Sequence, residues 1–92
     1  MANAVVTVKI MPTSPEVDLG KLEEKALEKI IKFNDDKDTK ASVEPVAFGL
    51  KAINIIFVMD ESKGSPDPVA EEIAEFEEVN SAEITDVRRA IG

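Results

Sequence analysis

Cysteine and histidine are both absent from this sequence. Without cysteine the chain has no disulfides and no thiol nucleophile, which is typical of a protein from a reducing compartment. Without histidine it has no Ser-His-Asp triad and no imidazole acid–base catalyst, and the two absences together exclude ordinary zinc sites. Any catalysis would therefore rest on Asp, Glu, Lys, Arg, Ser or Thr.

Long apolar runs and an excess of positive charge are missing as well. No stretch approaches the roughly 18 apolar residues that predict a membrane span. The apolar N-terminal stretch follows no basic region and alternates like a strand, so it is not a signal peptide. The net charge of −8 repels phosphate backbones. We therefore expect neither a membrane nor a nucleic acid as a direct partner.

The hydropathy pattern predicts four strands and two helices in a chain of 92 residues, which is enough for one domain, 1–92. Alternation or β-branched residues indicate strands, and apolar spacings of three and four indicate helices. The strands are predicted at 3–11, 40–47, 50–59 and 82–88, and the helices begin near Asp18 and Asp67.

The order βαββαβ favours an α+β ferredoxin-like sandwich, a four-stranded antiparallel sheet with two helices on one face. Residues 50–59 are apolar on both faces, which predicts a central strand. Residues 40–47 are a weaker strand with Val43 and Val46 as its apolar anchors, and Pro45 suggests an edge position. Asp18 fits the N-cap of the first helix. Asp67 and Pro68 fit the N-cap and first position of the second helix.

Two acidic segments invite functional interpretations. Asp35, Asp36 and Asp38 lack the glycine and distal glutamate of a calcium loop, so we interpret them as a solvated connection. Residues 66–78 carry six acids and no base. They fit either a solvated helix face or a docking surface for a basic partner. Residues 62–67, SKGSPD, lack the order of a phosphate-binding loop.

Phe48 and the adjacent pair Arg88 and Arg89 are the informative single residues. The other three aromatic residues, all Phe, fall on predicted core stripes, whereas Phe48 precedes Gly49 at a predicted bend. It either covers the core from a loop or is an exposed anchor for a partner. The two arginines either solubilise the chain or form a positive finger that approaches an anionic pocket.

Three segments together resemble the guanine-nucleotide exchange domain of elongation factor 1-beta. They are VTVKIMPTSPEVDLGKLEEK at 6–25, EPVAFGLKAINI at 44–55 and FEEVNSAEITDVRRAIG at 76–92. The PVAFGLK core is the most specific part, and the resemblance spans about residues 3–92. The short form and the EITDVRR ending resemble the archaeal branch.

The resemblance implies a non-enzymatic, cytoplasmic translation factor without a cofactor, monomeric when free. Its implied partner is the GTPase elongation factor 1-alpha, in GDP-bound and nucleotide-free forms. Eukaryotic relatives insert a C-terminal lysine near the magnesium and phosphates of the GTPase. That position aligns with Arg89, and Arg88 shares or takes the role. Phe48, Gly49 and Lys51 correspond to the contact surface around the family's aromatic residue.

Three alternatives use the same fold. A phosphate-hydrolysing enzyme would need a basic N-terminal loop, and residues 11–18 contain no base. An RNA-binding sheet would need exposed aromatics in basic surroundings. A small-ligand regulatory domain that dimerises through its sheet agrees with the apolar faces of residues 50–59.

Overall fold

The computed structural model describes residues 2–35 and 38–89. The chain forms β1 (Asn3–Pro12), α1 (Leu19–Asn34), β2 (Thr39–Pro45), β3 (Lys51–Asp60), a single 3-10 turn (Glu61–Lys63), α2 (Asp67–Ala74) and β4 (Val79–Arg89). The predicted order βαββαβ is confirmed.

The four strands form one antiparallel sheet in the order β2-β3-β1-β4. The predicted central position of β3 is confirmed, since it pairs with β2 on one side and with β1 on the other. Both helices contribute to a single core against one face of this sheet. The fold is therefore the expected ferredoxin-like sandwich.

The core lies between the helices and the inner face of β1 and β3. Alternate residues of these strands point inward, and each gains about 1.5–3 kcal/mol when it leaves water. The fully buried strand residues of this core are Val6, Val8, Ile10, Ile53, Ile55, Phe57 and Met59. The helices supply Leu22, Ala26, Ile30, Val69, Ala70 and Ile73.

Helix α1 is capped at both ends. The predicted N-cap is confirmed, because the Oδ1 atom of Asp18 accepts a hydrogen bond of 3.2 Å from the backbone N–H of Lys21. At the other end Asp35 has a φ of 56°, the left-handed conformation that terminates many helices. The buried amide of Asn34 donates to the carbonyl of Val58 at 2.9 Å, which joins this end to β3.

Helix α2 differs from the prediction by one residue at its start. Pro66 holds the cap position and Asp67 is already helical, so the assignment of Asp67 as N-cap is wrong. The hydroxyl of Ser65 accepts from the backbone N–H of Asp67 at 3.1 Å and closes the preceding turn. The helix ends at Ala74, and Phe76 packs half-buried against the core from the turn that follows.

Strand β2 is an exposed edge. Val43 and Val46, expected to anchor it, are 46% and 45% exposed, so that expectation is wrong. Val43 does pair with Ile53, but the helices pack chiefly over β3, β1 and β4, and little covers the outer strand. Only Ala41 of this strand packs against the core.

Among the described residues the longest helix is α1, with 16 residues, and none has the length and apolar character required to cross a membrane.

Candidate partner-binding site

The β2–β3 connection is a tight turn centred on Phe48 and Gly49. The N–H of Leu50 donates to the carbonyl of Ala47 at 2.9 Å, and the N–H of Val46 donates to the carbonyl of Leu50 at 2.9 Å. Both central residues have positive φ, 53° for Phe48 and 79° for Gly49. This combination defines a type I′ turn, for which Asn-Gly is the favoured sequence.

Phe48 therefore occupies a conformation that a bulky side chain rarely adopts. Its side chain is 97% exposed, so it contributes no burial that would offset this strain. Of the two interpretations that the sequence left open, a ring that covers the core is excluded. Strained backbone that stability does not explain is concentrated at functional sites.

Lys51 follows the turn as the first residue of β3, and its side chain is exposed. Like Lys21, Lys29, Lys32 and Lys40, it has no ion pair within 4.0 Å among the described residues. Beside it lies a cleft of about 220 Å³ between the turn and the β1–α1 loop. The cleft is lined by Pro12, Ser14, Pro15, Leu19, Gly49 and Lys51.

The β1–α1 half of this cleft was not predicted from the sequence. Pro12, Ser14 and Pro15 lie in segment 6–25, which carries the family resemblance, but none of them was predicted as a contact residue. Gly49 lies close to Pro15: a β carbon at position 49 would be within 3.9 Å of the Pro15 ring. Segments more than 30 residues apart meet here because β1 ends where β3 begins.

Arg88 and Arg89 end β4, with side chains 79% and 75% exposed. The Nε atom of Arg88 donates to Asp86 at 2.8 Å, and that of Arg89 donates to Glu61 at 3.0 Å. Exposed ion pairs of this kind contribute about 0–1 kcal/mol, so each guanidinium exchanges partners readily.

A β-bulge decides which face of the sheet each arginine occupies. Ile84 pairs with Val8 and Asp86 pairs with Thr7, so Thr85 is the extra residue. Its hydroxyl donates to the carbonyl of Thr7 at 3.4 Å. Arg89 then pairs with Ala4 on the helix side, and Arg88 pairs with Val5 on the open side.

The five predicted contact residues lie in two groups at opposite ends of the sheet. Phe48, Gly49 and Lys51 lie beyond the Pro12 end of β1, whereas the arginines pair at its Ala4 end. Eight residues of strand separate these ends, about 26 Å. The molecule measures 42 × 20 × 17 Å along its principal axes.

The acidic segment forms an exposed outer surface of α2 and the turn after it. Glu71, Glu72 and Glu75 have no ion pair among the described residues. Glu78 instead pairs with Lys25 of α1 at 2.9 Å. The docking surface for a basic partner stays a prediction.

The residues that the structure describes include no cluster of three or more metal-ligating side chains. Asp35 instead pairs with Lys63 at 3.0 Å, while Asp36 of the same acidic run lies outside the described residues.

Two solved structures of similar shape have low sequence identity to this chain. A de novo designed protein, Foldit4, superposes with a TM-score of 0.67 at 15% identity, over 98% of each chain. The BLUF protein BlrP1 matches with a TM-score of 0.58 at 9% identity, over all of this chain and 57% of its own. At these identities the similarity shows the fold alone, which many functions share.

Curated relatives are far more similar in sequence. Elongation factor 1-beta of Methanosphaera stadtmanae is 40% identical over 91 residues, covering 97% of this chain and 98% of its own length. The protein of the same name from Methanobrevibacter smithii is 42% identical over 89 residues, covering 97% and 98%. That of Methanocaldococcus jannaschii is 40% identical over 90 residues, covering 98% and 100%.

A family model, the EF-1 guanine nucleotide exchange domain, matches residues 5–90. This match includes the turn at Phe48, the β1–α1 loop and both arginines. The resemblance read from the sequence is thereby confirmed: the chain belongs to the EF-1 guanine nucleotide exchange domain family.

Proposed function

We propose that this chain, acting as a single domain over residues 1–92, promotes exchange of GDP for GTP on elongation factor 1-alpha. The observation that carries the proposal is Phe48, fully presented to solvent on a strained turn within a chain of this family. An exposed aromatic ring at a rigid turn suits an anchor that enters an apolar pocket of a partner. We place this activity in the cytoplasm, with the free chain a monomer.

The exchange requires no covalent chemistry in this chain. GTPases hold nucleotide through magnesium and through groups around the phosphates. A factor that binds the nucleotide-free GTPase more tightly than the loaded form must weaken nucleotide binding by the same factor. The ratio of GTP to GDP, and not this chain, then sets the direction.

The two arginines supply the cation for the nucleotide end. A guanidinium that approaches the phosphates competes with magnesium for the same negative charge and forms charge-assisted hydrogen bonds. The weak ion pairs to Asp86 and Glu61 do not prevent this movement. The end of the sheet with Phe48 would meanwhile hold a second region of the GTPase, at least about 26 Å away.

Release of a fluorescent GDP analogue from the cognate GTPase tests the proposal. Wild type should accelerate release. In Phe48→Asn the acceleration should be about tenfold or more smaller, because the aromatic ring is absent. Arg88→Ala and Arg89→Ala test the two candidate cations one at a time. At least one of these variants should show a similar reduction in the acceleration of GDP release. Ile56→Ala and Lys40→Ala, on the open sheet face, are matched controls that should retain activity.

Phe48→Asn also controls for folding. Asn tolerates the left-handed conformation that Phe strains, so urea unfolding should show unchanged or about 1 kcal/mol higher stability. No acceleration by wild type with an active GTPase would contradict the exchange function. Acceleration that survives all three substitutions would contradict the residue assignments alone.

A further inference from the structure

We propose that the cleft beside Phe48 receives a carboxylate side chain of the same GTPase, so that the β1–α1 loop is a second half of the docking surface. This inference rests on the proposed function and adds residues that it did not include. The cleft holds about 220 Å³ and opens between Pro12, Ser14, Pro15 and Leu19 on one side and Gly49 and Lys51 on the other.

The chemistry of the lining selects the occupant. Two proline rings and a leucine present apolar walls that suit the methylene groups of Asp or Glu. The polar groups are the ammonium of Lys51 and the hydroxyl of Ser14, which already accepts the N–H of Glu16 at 3.3 Å and retains its own proton to donate. An ammonium and a hydroxyl donor together match a carboxylate.

Charge complementarity supports the same conclusion. Lys51 is a cation without an ion pair among the described residues, in a chain of net charge −8. Lys51 is the cation among the residues that line this cleft. A positive charge beside an exposed aromatic anchor orients the docking surface, because an acidic group of the partner then pairs at a defined position. Phe48 then contributes contact area, and Lys51 fixes the direction of approach.

Glycine at position 49 keeps the turn in place, because the φ of 79° disfavours most residues with a β carbon. A methyl group there would make an ordinary contact of 3.8 Å with the Pro15 ring. The turn and the β1–α1 loop thus form one surface whose halves are held by β1 and β3.

The test measures the affinity of each variant for nucleotide-free elongation factor 1-alpha at low and high salt. Lys51→Met keeps the apolar stem and removes the charge, and should weaken binding about tenfold at low salt with a smaller salt dependence. Ser14→Trp fills the cleft and should weaken binding by a similar factor at both salt concentrations. Lys40→Met and Ser42→Trp, on exposed β2, should bind like wild type.

Each outcome separates this inference from the proposed function. If wild type binds the GTPase and both Lys51→Met and Ser14→Trp bind it with the same affinity, the cleft is not part of the docking surface. The proposed exchange function would be unaffected. If Ser14→Trp binds more weakly and Lys51→Met does not, the occupant of the cleft is apolar. That result would overturn the assignment of a carboxylate. Wild type that neither binds nor accelerates exchange would overturn both. Rescue of Lys51→Glu by a single acid-to-lysine change on the GTPase would identify the carboxylate.

Discussion

At the scale of single residues, phenylalanine is found both in the core of this chain and on its surface. Phe57 is fully buried, and Phe33 packs edge-on against it with ring centroids 6.4 Å apart. Phe48, with identical chemistry, lies entirely in water. Hydropathy does not distinguish these cases; the neighbouring glycine and the departure from strand alternation do. The exposure of Phe48 followed only from the turn geometry.

Glu78 links two elements through one side chain. Both of its carboxylate oxygens accept from the ammonium of Lys25 at 2.9 Å, and this ammonium lies 4.6 Å from the centre of the Phe76 ring. The hydrogen bond from Lys25 and a backbone hydrogen bond of Glu78 itself lower the pKa of this carboxyl below its ordinary value of 4.5. The charged form is therefore favoured in the folded protein.

This shift predicts an acid-dependent contribution to stability. Because the folded pKa is depressed, the contribution is complete above pH 4.5 and is lost as pH falls through the lower folded pKa. Glu78→Gln should be less stable than wild type in urea unfolding at pH 7, and the difference should shrink below pH 4.5. Glu71→Gln, an exposed carboxyl of α2, is the control and should show no such change. A difference for Glu78→Gln that is constant with pH would contradict the assignment.

At the scale of elements, α1 shows where pattern reading works and where it stops. Its apolar stripe predicted a buried face, and Leu22, Ala26 and Ile30 are fully buried. Ile31, beside the same stripe, is 37% exposed. A helix that packs on one sheet buries a narrow arc, and the hydrophobic spacing does not fix the width of that arc.

The adjacent isoleucines of α1 provide a matched pair. Ile30→Ala should lower the free energy of unfolding by about 2–5 kcal/mol, because it leaves a cavity in the core. Ile31→Ala should lower it by about 1 kcal/mol or less, since much of that side chain is in water and Ala favours helix. Urea unfolding measures both. Equal losses would show that α1 packs with a different face.

At the scale of the whole molecule, the sheet separates the two proposed contact groups. The turn at Phe48 and the arginines of β4 lie beyond opposite ends of a stretch of β1 about 26 Å long. Antiparallel pairing with β1 fixes that separation, because β4 ends where β1 begins. A partner that touches both ends must itself present two regions at this distance.

The separation predicts that the two ends contribute independently to exchange. In a double variant, Phe48→Asn and the more damaging arginine substitution should multiply their losses to within about twofold. The second-order rate of accelerated GDP release measures this. Phe48→Asn combined with Lys51→Met is the comparison, because neighbouring residues should not be independent. If the double variant across the two ends releases GDP no more slowly than the slower of its two single variants, the proposal of two separate contacts is contradicted.

The sequence alone determined the order of the elements, the central position of β3, the Asp18 cap and the bend at Phe48. Each of these follows from local periodicity or from the conformational preference of a single residue. Tertiary structure alone decided the exposure of Val43 and Val46, the faces of Arg88 and Arg89, and the meeting of the β1–α1 loop with Gly49 and Lys51. These depend on strand order, on the bulge at Thr85 and on which strands the helices cover, and pairing between distant segments sets all three.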